Sequence, residues 1–174
     1  MTMISLAEET LIDKIMKEGI NDPRIVLNVD AAREEALKLL EQLKGFDANK
    51  ADFDNDLPPV VIVRGSKFIA YIVVLSPGYL LTGRESYRII TELIPYLEKI
   101  KELGKKPLLL FYSKKGNLSK TAYLYLGNVI ENHGVGILFV NGALDEVVEI
   151  IWHLENTGSY SVEEEEPIDY SYLK

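Results

Sequence analysis

Few residues in this sequence have the types and spacing that catalysis or metal binding needs. Cysteine is absent, which excludes disulfides, thiol nucleophiles and thiolate metal sites and fits a reducing compartment. The two histidines, His133 and His153, lack the i, i+4 spacing of a zinc-binding helix. His133 directly precedes Gly134, where a cation suits the end of a helix. Asp52, Asp54 and Asp56 imitate the start of a calcium loop. Such a loop needs Gly at its sixth position and Glu at its twelfth, and here those positions hold Leu57 and Val63. The "HGVG" of His133–Gly136 lacks the third glycine and the Lys-Ser/Thr of a phosphate loop, and there is no Gly-x-Ser-x-Gly elbow. The expectation is a protein with no catalytic residue, no metal ligand and no cofactor.

The elements that would have to position a site are easier to read. The chain has 174 residues, 47% of them hydrophobic, with net charge −8. That is enough for one well-buried core, and the acidic balance without a basic cluster argues against nucleic acid as a partner. The apolar runs "FIAYIVVL" and "PLLLFY" are far below the roughly 20 residues of a membrane span. The N-terminus has no basic stretch followed by a hydrophobic one. A cytoplasmic location is expected, and the Lys, Glu, Ile and Tyr richness without Cys is the trend of heat-adapted proteins.

Ser5–Lys17 has helical spacing of Leu6, Leu11, Ile12 and Ile15. Pro23–Val29, "PRIVLNV", reads as a strand, and Asp30 as the cap of a helix that stops at Gly45. Residues 1–50 thus form an N-terminal αβα segment, set off by the polar link "FDANKADFDNDLPP". The body, residues 58–158, begins with a β-hairpin, "VVIVRGSKFIAYIVVL", turning at Arg64–Lys67. It continues as helix Glu85–Leu103, strand Pro107–Tyr112, helix Leu118–Asn132, strand Val135–Val140 and helix Leu144–Glu155, an alternation that predicts parallel strands with crossover helices. Residues 159–174 read as an acidic, solvated tail, with a docking peptide as the alternative.

An acidic stretch, a hairpin and then helix–strand is similar to the core of metal-dependent nucleases of the PD-(D/E)xK type. Those enzymes hold a divalent ion between an Asp at one strand and a Glu-x-Lys on the next. Here the second strand is the wholly apolar "FIAYIVV", so the resemblance implies at most a degenerate relative without an intact metal site.

A second resemblance rests on the most unusual stretch, "ELIPYLEKIKELGKKPLLLFY", where Pro95 interrupts an amphipathic helix at a cost of about 3 kcal/mol. Glu92-Leu93-Ile94-Pro95-Tyr96-Leu97-Glu98, followed by Gly104-Lys105-Lys106-Pro107-Leu108-Leu109, resembles the apical domain of bacterial, GroEL-type chaperonins. In that family a Pro-containing helix ends in Gly-Lys-Pro before an aliphatic strand. "TAYLYLGN" and "LENTGSYSVEEE" resemble the family's next helix and its exit into acidic residues. The equatorial ATPase signature Gly-Asp-Gly-Thr is missing, and Gly127 stands where the family prefers a β-branched residue. The resemblance implies a three-layer β/β/α body. It also implies a non-enzymatic groove between two helices for apolar polypeptide segments, with Ile90, Ile94, Leu97, Ala122 and Leu126 as peptide-binding residues.

Periodicity is compatible with that. Ile89, Leu93, Tyr96, Ile100 and Leu103 form a core-facing stripe, and Tyr87, Ile90, Ile94 and Leu97 a second one about 100° around the helix. The second stripe must meet the chain's own N-terminal segment, a sister subunit in a homo-oligomer, or a ligand.

Overall fold

The computed structural model describes Leu11, Ile15, residues 22–51, Phe53 and residues 57–158. Of the helix expected over Ser5–Lys17, Leu11 and Ile15 are described; both are helical and Ile15 is buried. Asp52, Asp54, Asp56 and the tail from residue 159 lie outside the described residues.

The strand expected at Pro23–Val29 does not form. The Asp22 carboxylate accepts from the Arg24 N–H at 2.9 Å and, with Pro23 at the first position, winds Pro23–Ile25 into one 3-10 turn. Asn28 rather than Asp30 then caps helix α1 (Val29–Gln42), its side chain accepting from the Ala31 N–H. The polar link holds a strand instead. Strand β1 (Asp47–Ala51) pairs antiparallel with β2 (Val60–Arg64), Asp47 opposite Arg64 and Ala51 opposite Val60.

Strand β2 pairs antiparallel with β3 (Phe68–Val74) as the expected hairpin. Gly65 donates to the Phe68 carbonyl at 2.9 Å, and a Cβ at Gly65 would run into the Phe68 ring, so only glycine closes this turn. The short strand β4 (Leu80–Leu81) leads into helix α2 (Gly83–Glu102), followed by β5 (Lys106–Tyr112), the short β6 (Asn117–Leu118), helix α3 (Lys120–His133), β7 (Gly136–Val140) and helix α4 (Leu144–Thr157). Strands β3, β5 and β7 are parallel neighbours, as the alternation predicts, and β4 and β6 form a two-residue parallel bridge. The main sheet therefore runs β1-β2-β3-β5-β7, with β2 antiparallel to its neighbours.

The fold is α/β with three layers, but the order of layers is α/β/α, not β/β/α. Strand residues alternate between two cores. Ile62, Tyr71, Val73, Leu109, Phe111, Ile137 and Phe139 join α2 and α3 on one face. Val61, Val63, Ile72, Leu110, Tyr112 and Leu138 join α1 and α4 on the other. Every residue of β3 is buried, because a strand covered by helices on both faces has no solvent side to alternate toward. The αβα extension expected ahead of the body is thereby corrected: α1 covers the sheet and β1 is one of its strands.

Candidate interaction face

Helices α2 and α3 are crossovers on the same side of the sheet and run parallel. Near their starts the Tyr87 and Tyr125 rings lie 5.6 Å apart. Near their ends Glu98 Oε1 lies 3.0 Å from His133 Nδ1, while Lys101 Nζ donates to the His133 carbonyl. The hydrogen bond with His133 is the main reason the Glu98 carboxyl is held below its ordinary range, with Lys101 adding to it. Both helices are capped by hydroxyls: Thr82 Oγ1 accepts from Glu85 N at 3.2 Å and Ser119 Oγ from Ala122 N at 3.0 Å. Helix α3 ends at Gly134, whose φ of 63° is left-handed.

Pro95 sits inside α2 on its exposed side, as does Thr91 four residues earlier. The carbonyl that the proline leaves without a donor therefore faces water rather than the core, which limits its cost.

The five residues expected to line a groove do come together, but as core. Leu97, Ala122 and Leu126 are wholly buried, Ile90 nearly so, and Ile94 is half-buried against the same cluster. The reason is geometric. Helix α2 lies in the angle between the sheet and α3, so it buries a wide arc of Ile89, Ile90, Leu93, Leu97 and Ile100 instead of two separate stripes. Tyr96 and Leu103, assigned to the core by spacing, point outward instead.

What the helix pair presents to solvent is a different set. Tyr87 is 41% exposed, Tyr96 45% and Leu124 48%. Tyr96 continues into an aromatic group over the β2–β3 side of the sheet, its ring centroid 5.5 Å from Phe53 and 6.2 Å from Tyr71. Burial pushes the Tyr71 hydroxyl up from its ordinary pKa and that of Tyr125 up to about 12, so both rings stay neutral. Aromatic spacing in the sequence was a signal for these contacts, but Phe53 sits in the polar link and had no period to mark it.

Ligands of open α/β sheets bind at the carboxyl ends of the strands, and here those ends are bonded to one another. Ser113 Oγ donates to the Ser76 carbonyl at 2.7 Å, Ser76 Oγ accepts from Asn28 N at 3.1 Å, and Lys115 N donates to the Asn141 carbonyl at 2.9 Å. Among the described residues the four buried polar side chains, Ser76, Thr82, Ser86 and Ser113, all make hydrogen bonds. A cleft lined by Val29, Arg33, Lys50, Phe53 and Leu57 has a volume of about 100 Å³. Pockets for cofactor-sized ligands run to roughly 300–1,000 Å³. Strands β2 and β3, compared above with the nuclease core, set buried Val60 opposite buried Val73. Among the described residues no group of three His, Cys, Asp or Glu side chains is placed to hold a metal, and no helix is long and apolar enough to cross a membrane.

No protein-family model matches the chain, and no curated protein or solved structure is detectably similar to it.

Proposed function

We propose that the chain is a non-enzymatic interaction module that takes apolar polypeptide segments, or a sister subunit, on the outer face of α2 and α3. The observation that carries this reading is the exposure of Tyr87 and Leu124 on two adjacent parallel helices, with Tyr96 exposed on the opposite flank of α2 beside Phe53 and Tyr71. Tyrosine gives large contact area for little conformational entropy and is enriched in interface cores. The resemblance to chaperonin apical domains points the same way, toward a helix pair as the contact surface. The contacting side chains are the outward aromatics, not the buried Ile90, Leu97, Ala122 and Leu126. A net charge of −8 favours polypeptide over nucleic acid, and a cytoplasmic setting fits the absence of cysteine.

The test is binding of a hydrophobic dye and of a fluorescent amphipathic peptide. Tyr87→Ser combined with Tyr96→Ser is expected to weaken both about tenfold while circular dichroism and the thermal midpoint stay close to wild type. A wild-type protein that binds neither probe ends the reading of this face as a peptide site.

One observation favours a second reading. The order α1-β1-β2-β3-α2-β5, the short β4 aside, with β2 antiparallel and β5 parallel to β3, follows the nuclease core noted in the sequence, so the chain would be a degenerate relative of that fold without an intact metal site. Titration with Mg²⁺ or Mn²⁺ should then leave the thermal midpoint unchanged. A saturable rise would show an intact ion site instead.

A further inference from the structure

From the outermost ridge of α3 we infer that the partner of this face is a second copy of the chain, docked antiparallel along α3 about a two-fold axis. The inference rests on the proposed function and names its partner.

Lys120, Leu124, Gly127 and Glu131 are spaced by four, three and four residues, which at 100° per residue places them within an arc of about 60°. Ala122, Leu126 and Val129 occupy the opposite, buried side of the helix. Lys120, Leu124 and Glu131 are exposed, and neither Lys120 nor Glu131 makes an ion pair with a described residue.

Gly127 has no counterpart reason inside the chain. A glycine in a helix interior is unfavourable, and here, apart from its chain neighbours and the helix's own backbone, no atom lies within 4 Å of the position a Cβ would take. The neighbouring elements therefore do not require the missing side chain, whereas a second helix packed against the ridge would use the space.

The ridge is complementary to itself. Lys120 and Glu131 have their midpoint between Tyr125 and Leu126, and so do Leu124 and Gly127. One two-fold axis through that point therefore sets Lys120 against Glu131 of the second copy and Leu124 against the open surface over Gly127, each twice. A shared midpoint for an opposite-charge pair and a large–small pair is the requirement of an isologous contact.

Sedimentation equilibrium over a wide concentration range tests this with the full chain. Wild type is expected to be a reversible dimer. Lys120→Glu and Glu131→Lys should each weaken it about tenfold or more, because each places like charges opposite one another twice. The double swap should restore wild-type affinity, which loss of fold could not mimic. Gly127→Leu fills the recess and should abolish the dimer while helicity and thermal midpoint are retained. A wild type that is monomeric throughout overturns the inference, as does a dimer whose dissociation constant is the same in both single swaps and in Gly127→Leu. Amphipathic-peptide binding on the same samples separates the two readings. A monomer that binds peptide sinks the dimer and leaves the peptide face standing, and a monomer that binds none sinks both.

Discussion

Helices α1 and α3 are each 14 residues long, and each sends three residues fully into the core, Ala32, Ala36 and Leu39 in one and Ala122, Leu126 and Val129 in the other. Their solvent faces share almost nothing. Outward on α1 stand Asp30, Arg33, Glu34, Lys38 and Glu41, with ion pairs Lys38–Glu35 and Lys44–Glu41 along the surface. Outward on α3 stand Lys120, Leu124, Asn128, Glu131 and Asn132, with only the first and fourth charged. Val29 and Leu37 of α1 are exposed apolar residues among charges, and scattered apolar residues of this kind are ordinary. Packing against the sheet constrains the inner faces alike. It leaves the outer faces open, and α3 fills its own with neutral and apolar groups where α1 uses i, i+3 charges.

The largest effects should show the two helices as equals. Leu39→Ala and Leu126→Ala each remove a wholly buried side chain and should each cost about 2–5 kcal/mol in urea unfolding. A loss below about 1 kcal/mol at Leu126, with peptide binding lost instead, would return that residue to an open groove. The caps come next. Asn28→Ala and Ser119→Ala remove the acceptors for Ala31 N and Ala122 N and should each cost about 1 kcal/mol by the same measurement.

Smaller still, and opposite in sign, Gly127→Ala should stabilise the isolated subunit by up to about 1 kcal/mol, since the site is open and alanine favours helix. A destabilised variant would mean that the glycine serves the fold itself. The smallest effect is at the far end of the helix pair. Because the folded Glu98 carboxyl is held below its unfolded value, its contribution is present above the unfolded range and lost as pH falls through the folded value. The urea midpoint should therefore fall more steeply on acidification for wild type than for Glu98→Gln, and parallel curves would show that the contact with His133 adds nothing.

The crossover half of the fold was legible because its signals are local. The hairpin around Gly65, both crossover helices, strands β5 and β7 and the last helix lie within about two residues of where spacing, glycines and caps put them. The N-terminal half was not. "RIVLNV" has strand composition, but Asp22, Pro23 and Asn28 supply the turn and cap chemistry that turns it into a helix entry. "DANKA" has no β-branched residue at all and becomes β1 only because β2 offers it a free edge, a tertiary effect no local pattern carries. The faces of the helix pair were half legible. Helical periodicity found the two adjacent helices but not the direction of the sheet, so it took Ile90 and Leu97 for surface and Tyr96 and Leu103 for core. A helix wedged against both a sheet and a neighbour buries a wider arc than a helix on a flat layer, and the sequence does not say which it is.

Hydroxyl-radical footprinting of the exposed side chains, at low and high protein concentration and with the amphipathic peptide, tests the interaction face most directly. Tyr87, Tyr96 and Leu124 on α2 and α3 should lose reactivity as contacts form, while Leu37 on α1 and Trp152 on α4, exposed to a similar or greater degree, keep theirs. Protection of Leu37 and Trp152 with Tyr87, Tyr96 and Leu124 unchanged would place the contact surface on the other side of the sheet and contradict the account.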